Sequence, residues 1–315
     1  MKSVLNVSSS PHIKHPDTTR GIMLDVIIAL LPAAVFGCIL FGWRAALVVF
    51  TCIASAVLSE YLWNIILKKP QTIGDLSAVV TGLLLGMNLS SQVPFWVAAI
   101  GGVVAIVVVK QMFGGLGCNF ANPAITARIV LLVSFPSTMA RFVEPVSDTI
   151  TSATPLTYIS SVLKPSITVK NLFFGMHSGC IGETSAFLLL VGGLYLVLRG
   201  VISPVTPVSF IGTVALLSYI YGERVEIAVL GGGLMLGAIF MATDYATSPT
   251  TKLGKLVFGI GCGLIAFIIR KFAALPEGVS YAILIMNILV PYINRFTLSK
   301  PFGFVKPVKE AKADE

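Results

Sequence analysis

The stretch Leu76-Ser-Ala-Val-Val-Thr-Gly-Leu-Leu-Leu-Gly-Met-Asn-Leu-Ser-Ser-Gln-Val-Pro-Phe-Trp-Val-Ala-Ala-Ile-Gly-Gly-Val-Val-Ala-Ile-Val-Val-Val109 contains no Asp, Glu, Lys or Arg. A helix crosses the ~30 Å hydrocarbon core of a bilayer with ~20 residues, so the run is too long for one crossing. Ser90-Ser91-Gln92-Val93-Pro94 breaks it with polar, turn-forming residues, giving spans three and four. The chain is therefore expected to be an all-α polytopic membrane protein.

Upstream, Val26 to Trp43 is an uncharged first span with Asp25 at its entry. Ala45 to Leu67 is a second, carrying Glu60 and stopped by Lys68-Lys69-Pro70. Downstream, Phe113-Gly-Gly-Leu-Gly-Cys-Asn-Phe-Ala-Asn-Pro-Ala124 leads into a short apolar run, Ile125 to Phe135, that carries Arg128. Irregular backbone persists at membrane depth only where protein covers it or a cavity faces it, so a short, partly unwound fifth span is predicted. The remaining spans read as Thr184 to Leu198, Val201 to Tyr221, Ile227 to Ala242, Leu256 to Ile269 and Val279 to Ile293.

About ten transmembrane helices result, at ~20 residues each. Five in each half would make two inverted halves, an arrangement common in transporters. The expected organisation is an N-terminal membrane half (1–135), a long extracytoplasmic loop between helices 5 and 6 (136–182), a C-terminal membrane half (183–296) and a basic cytoplasmic tail (297–315).

Composition agrees. The chain is 56% hydrophobic and 11% charged with a mean hydropathy of +0.91, where a soluble domain carries about 25% charged residues. A net charge of +8 raises nucleic acid as a partner. The basic residues are instead scattered between spans, so membrane topology accounts for them and no nucleic acid is implied. Their bias toward the tails and alternate loops predicts both termini in the cytoplasm. The residues before Arg20, with Pro11, His12, Lys14, His15 and Asp17, contain no apolar signal region. The five cysteines form no C-x-x-C and have no neighbouring His pair, so no metal site is read. His12, His15 and His177 fall in polar segments and are expected to be solvated.

Two kinds of residue stand out against this background. The first is the hydroxyl-rich Asp148-Thr-Ile-Thr-Ser-Ala-Thr-Pro-Leu156 in the long loop, which suits a glycosylation site, a lid or an attachment point. The order Ser152-Ala153-Thr154-Pro155-Leu156 after Asp148 favours attachment. The second is the set of acids at or within spans, Asp25, Glu60 and Asp75, where an unpaired charge is costly and usually functional. Asp75 and Asp244 each lie beside hydroxyls and helix breakers, a composition that fits a path for Na⁺ or protons. Asp75 also stands where a helix N-cap would.

With these residues in view the chain resembles a known family. The motifs are Asp75-x-Ser77-Ala78-x-x-Thr81-Gly82, Asn119-Phe-Ala-Asn-Pro-Ala124, Met241-Ala-Thr-Asp244 with Ser248-Pro249, and Ser152-Ala-Thr-Pro-Leu156. In this order they resemble the D subunit of the Rnf ion-translocating ferredoxin:NAD oxidoreductase complex, related to the B subunit of sodium-translocating NADH:quinone reductase. The quinone-reductase subunit is expected to carry a longer N-terminal region, so the resemblance favours Rnf.

The resemblance implies a bacterial inner-membrane subunit that passes electrons through FMN joined by a phosphoester to a threonine, here Thr154. Ser152, Ala153 and Asp148 belong to the attachment motif, which lacks the glycine often found before the alanine. A threonine hydroxyl is a weak nucleophile, so an FAD-dependent flavin transferase is implied as a maturation partner. The other Rnf membrane and peripheral subunits and membrane lipids are implied as well. A second, non-covalent flavin such as riboflavin is also implied, with the segment holding Asn119 and Asn122 as a candidate wall. No dinucleotide fingerprint or iron–sulfur motif is present, so the chain is expected to be an electron-transfer subunit and not a complete enzyme. The rival reading is a stand-alone secondary transporter or channel without a cofactor, built on the Gly/Asn/Pro-broken spans.

Overall fold

The computed structural model describes residues 18–143, 145, 150–151, 155–158, 169–273 and 278–298. Asp148, Ser152, Ala153 and Thr154 lie outside the described residues, as do His12 and His15. The described chain is helical apart from an antiparallel pairing of Phe142–Val143 with Ile150–Thr151.

Four helices are long and apolar enough to cross a membrane: α1 (Thr19–Phe41), α2 (Trp43–Ile66), α12 (Lys252–Phe272) and α13 (Gly278–Thr297). Thr18 starts α1 by accepting the Gly21 N–H at 3.1 Å, so the helix begins earlier than the apolar run and Asp25 lies inside it. α12 likewise takes in Lys252 and Lys255. Leu253, Val257, Ile260, Leu264 and Ile268 form its exposed stripe, whereas Gly254, Phe258, Cys262 and Ala266 are buried. Side chains that a soluble protein would hide thus face outward, as lipid requires.

The other apolar helices are shorter: α3 (Ser77–Met87), α4 (Phe95–Val103, continued by a π-helical stretch, Val104–Gln111), α5 (Pro123–Ser134), α8 (Ala186–Leu198) and α9 (Val205–Ile220). At 1.5 Å per residue α3 covers only ~16 Å, half a bilayer, which corrects the expectation of a full third span. It survives because protein surrounds it. Gly82 and Gly86 lie directly on the α2 backbone, where added Cβ atoms would come within 2.6 Å of Ile53 Cα and 2.9 Å of Val49 Cα. Small residues four apart let two helices approach in this way when water supplies no drive to associate.

The eighth expected span is also corrected. Ile227 to Ala242 is broken into α10 (Val225–Leu230) and α11 (Leu234–Leu236), the latter running into a π-helical stretch, Gly237–Met241. Gly231-Gly232-Gly233 makes the break, with Gly232 and Gly233 at φ +65° and +67°. Within the loop region two short α-helices, α6 (Pro136–Met139) and α7 (Val169–Phe174), and a 3-10 turn, Pro155–Tyr158, are described.

Helices of the two halves pack in opposite directions. Asp25, early in α1, pairs with Arg199 at the end of α8 (3.1 Å). Gly37, late in α1, lies against Ile181, just before α8. The start of α1 therefore marks a proximal end of the bundle, where α3, α5 and α12 also start and α4, α8 and α13 end. The other end is called distal.

Candidate functional site

A cavity of about 90 Å³ opens among the helix termini of the proximal end. Its walls are apolar on several sides, with Ile22, Met23, Val80, Leu84, Leu116, Leu196 and Phe240. Ser77, Thr81, Lys110, Asn119, Asn122 and Asp244 supply the polar groups. Three of the sequence-nominated residues, Asn119, Asn122 and Asp244, are thereby brought to one place. Asp75 is one hydrogen bond away through Ser77.

The segment ahead of α5 unwinds as expected, with Gly114, Gly115 and Gly117 all at positive φ. Asn122 ends the unwound stretch by capping α5, its Oδ1 accepting the Ala124 and Ile125 N–H groups at 3.0 and 3.4 Å. Its Nδ2 donates to the Met241 carbonyl at 3.2 Å. Both polar atoms of that amide are engaged. Asn119 is not: its Oδ1 is buried and has no hydrogen-bond partner among the described residues. A buried acceptor on a cavity wall is costly to leave unmatched, so Asn119 is the stronger candidate for a ligand contact.

Asp244 closes a local turn, accepting Thr247 Oγ1 at 3.0 Å and the Ala246 N–H at 3.4 Å. Burial pushes its carboxyl pKa up, and these two donors partly offset the rise. Asp75 accepts both the N–H and the hydroxyl of Ser77, the first residue of α3, at 2.8 and 2.6 Å, while the cap position itself is taken by Leu76.

Sequence reasoning missed the buried cation of the site. Lys110, 2% exposed, forms an ion pair with Glu60, 0% exposed, at 2.9 Å. The π-helical end of α4 lets consecutive residues serve one carboxylate, since Gln111 Nε2 also donates to Glu60 Oε1 at 3.0 Å. Thr72 donates to the same oxygen at 2.7 Å. The signal in the sequence was Lys110 closing an uncharged run, at the depth where Glu60 needed a partner.

A second polar cluster lies toward the distal end. Arg128, buried midway along α5, donates to Asn88 Oδ1 at 2.7 Å, to Ser280 Oγ at 3.3 Å and to Cys180 Sγ at 3.4 Å. It lies 3.8 Å from the Glu183 carboxylate. His177 beside it is buried, which corrects the expectation of a solvated histidine. Among the described residues no group of His, Cys, Asp and Glu suits a metal ion.

Thr154 itself is outside the described residues, but Pro155 and Leu156 follow it directly. Leu156 is buried against Gly232, where an added Cβ would collide with it. Arg270 of α12 fixes that glycine turn from behind, donating to the carbonyls of Ala228 (2.7 Å), Gly232 (3.0 Å) and Gly231 (3.3 Å). The turn separates α10 from α11 on the distal side, so Leu156 and the cavity lie toward opposite ends of the bundle.

Residues 6–303 match the model of the NQR2, RnfD, RnfE family. The chain belongs to this family. It is 48% identical to the D subunit of the Na⁺-translocating ferredoxin:NAD⁺ oxidoreductase complex of Acetobacterium woodii, with 98% of each chain covered. It is 40% identical to the D subunit of the proton-translocating ferredoxin:NAD⁺ oxidoreductase complex of Clostridium ljungdahlii, covering 96% of this chain and 97% of that one. With the D subunit of the ion-translocating oxidoreductase complex of an Escherichia coli strain it shares 31% identity over 96% and 99% of the two chains. Family membership, the several apolar helices and the named complexes agree on a multi-pass membrane subunit of an Rnf-type assembly.

Proposed function

We propose that this chain is the flavin-bearing subunit of a redox-driven ion pump of the bacterial inner membrane. It would pass electrons on the path from ferredoxin to NAD, coupled to Na⁺ or H⁺ translocation. Its partners are the other membrane and peripheral subunits of the complex, and a FAD-dependent flavin transferase completes it. In this reading the chain crosses the membrane about ten times in two five-helix inverted halves, at ~20 residues per crossing or less where protein covers a half-helix. The antiparallel packing of α1 on α8 supports the inversion. Both termini and the cavity then face the cytoplasm, and loop 136–182 lies outside.

FMN, joined through its phosphate to Thr154, would supply one-electron transfer. Pro155 and Leu156 follow that threonine in the sequence, and Leu156 is seated on the glycine turn that Arg270 holds. A tethered cofactor cannot diffuse away from an outer surface, and the protein's part is to fix its position. A second, non-covalent flavin such as riboflavin is assigned to the proximal end. The apolar walls of the cavity there support this reading, as does Asn119 Oδ1, an acceptor with no other partner among the described residues. Asp75 and Asp244, at the edge of the same cavity, belong to the ion path.

The observation that carries this reading is membership of this family, with an apolar cavity at one end of the bundle and the seat of Leu156 toward the other in support. The test is to purify the whole complex, unfold it in acid and separate protein from supernatant. One flavin retained by this chain and one released from it are expected. A colourless preparation, active in transport by this chain alone, would favour the transporter reading instead.

A further inference from the structure

A second pocket, of about 250 Å³, opens at the proximal end where α9 and α12 begin. It adjoins the first cavity, and Val201, Ile202, Thr243 and Tyr245 line both. Its own lining is rich in hydroxyls: Ser203, Thr206, Ser248 and Thr250 converge on it, together with Lys255. No Asp or Glu lines it among the described residues. Asp244, nearby in sequence, lines the first cavity instead, and its oxygens accept from Thr247 and Ala246.

The fold leaves these groups unused. Thr206 is 2% exposed, yet its hydroxyl makes no hydrogen bond to any described residue, and a buried polar group without a partner is costly. The hydroxyls of Ser203 and Ser248 are likewise unmatched among the described residues, and half-buried Lys255 has no ion pair among them. Thr206 is the second residue of α9 and Lys255 the fourth of α12. The first N–H groups of a helix lack an intrahelical acceptor and carry partial positive charge. Two such helix ends, one ammonium and several hydroxyl donors favour an anion. The volume falls below the ~300 Å³ at which pockets for drug-sized ligands begin, so the group bound is small.

We propose that this pocket binds a phosphate group, with Lys255 as its counter-charge and the Thr206 hydroxyl as a hydrogen-bond donor. Hydrogen bonds to an ionised acceptor are stronger than those between neutral groups, so the anion satisfies the hydroxyls that the fold leaves over. Phosphate suits the donors better than a carboxylate does. Its oxygens are arranged tetrahedrally, and the donors approach from three segments: the start of α9, the turn after Asp244 and the first turn of α12. A carboxylate offers two oxygens in one plane. Val208 and Leu253, close to Thr206 and Lys255 in their helices, are exposed apolar residues, a surface on which acyl chains can lie. The phosphate is therefore either the headgroup of an anionic phospholipid or a free ion. Bound there, it ties the starts of two apolar helices to the turn that holds Asp244.

The test uses the purified complex, stripped of lipid by exchange into an uncharged detergent. Lysines are acetylated in a short pulse, and modification of Lys255 and Lys252 is quantified by peptide mass spectrometry. Lys252, exposed and outside the pocket lining, is the reference. The probes are inorganic phosphate and phosphatidylglycerol in mixed micelles, beside chloride at matched ionic strength and diacylglycerol micelles. Acetylation of Lys255 relative to Lys252 is expected to slow about tenfold with a phosphate probe at ~10 times its Kd, by mass action. Thr206→Val should raise the probe concentration needed by about tenfold, as expected for one hydrogen bond to a charged group. Protection by inorganic phosphate would identify a free ion, and protection by phosphatidylglycerol alone a lipid headgroup. In wild type, a Lys255 rate that neither probe slows beyond its control would overturn the proposal, even if the variant fails to assemble. Protection that Thr206→Val leaves unmoved would also overturn it, by locating the phosphate outside this pocket.

Discussion

Asn122, which caps α5, donates its backbone N–H to the side chain of Asn287 in the middle of α13 at 3.1 Å, in the amide orientation that satisfies both groups. The same amide donates to the Thr247 carbonyl at 3.1 Å. One side chain therefore ties the broken segment of the first half to a continuous helix of the second and to the turn that holds Asp244. Ser280, at the start of α13, meets Arg128 farther along α5, so these two helices are antiparallel as α1 and α8 are.

Asn287→Leu strands a buried backbone N–H and a buried carbonyl at once. Each unsatisfied group costs about 1–3 kcal/mol. A clear drop in the melting temperature of the detergent-purified complex is expected, with early loss of the cavity ligand on heating. Fluorescence of released flavin during the melt reads both.

Asn119 and Asn122 should part company under substitution. Asn119→Ala removes an acceptor that bonds nothing among the described residues, so stability should hold while non-covalent flavin content falls several-fold. Asn122→Ala removes a helix cap, worth about 1 kcal/mol, and a tie to Met241, so stability falls too. Flavin content per complex set beside the melting temperature distinguishes the two. Equal behaviour of the variants would contradict the assignment.

Gly232→Ala places a Cβ at φ +65° against Leu156 and within 2.9 Å of Arg270 Nη2. Strain of this kind costs on the order of 1–3 kcal/mol, and it falls on the seat of the attachment loop. Covalent flavin on this chain should drop several-fold while the releasable flavin stays. In-gel fluorescence together with acid-released flavin reads the split.

His177 makes the distal cluster sensitive to acid. Burial lowers its pKa below the ordinary 6.5, and the Ser178 carbonyl and nearby Glu183 oppose the shift. The unfolded state therefore binds its proton first, so His177 imposes no penalty above about pH 6.5 and stability is lost as pH falls through the folded value. Hydrogen-exchange protection across 175–185, taken relative to the intrinsic rate at each pH, should fall on moving from neutral pH to about pH 5, near the lower limit of ordinary histidine titration. His177→Gln should flatten that dependence.

How far the sequence led can be judged residue by residue. The break at Ser90 to Pro94 and the Gly/Asn segment before α5 were legible because turn chemistry and backbone satisfaction act locally, whereas bilayer thickness overstated α3. The same logic failed for Ile227 to Ala242, where hydropathy is continuous and three glycines break the helix without lowering it. Asp75 was read as either a cap or an ion ligand; its carboxylate accepts from the first residue of α3, but Leu76 takes the cap position. Glu60 drew notice as a buried acid, but its partner Lys110 lies fifty positions away and only packing joins them. His177 looked solvated because its neighbours in sequence are polar, and its burial close to Glu183 decides otherwise. The attachment motif itself, Asp148 to Thr154, rests on the resemblance, with Pro155 and Leu156 as its described anchor.

The central claim is that Thr154 carries flavin. The most direct measurement is flavin fluorescence on a denaturing gel, after coexpression with a flavin transferase shown to act on another substrate, with wild type beside Thr154→Val. A fluorescent band at the mass of this chain in wild type, absent from the variant, is the predicted result. A dark wild-type band would contradict a covalent flavin on this chain. Fluorescence that persists in Thr154→Val would contradict the choice of threonine.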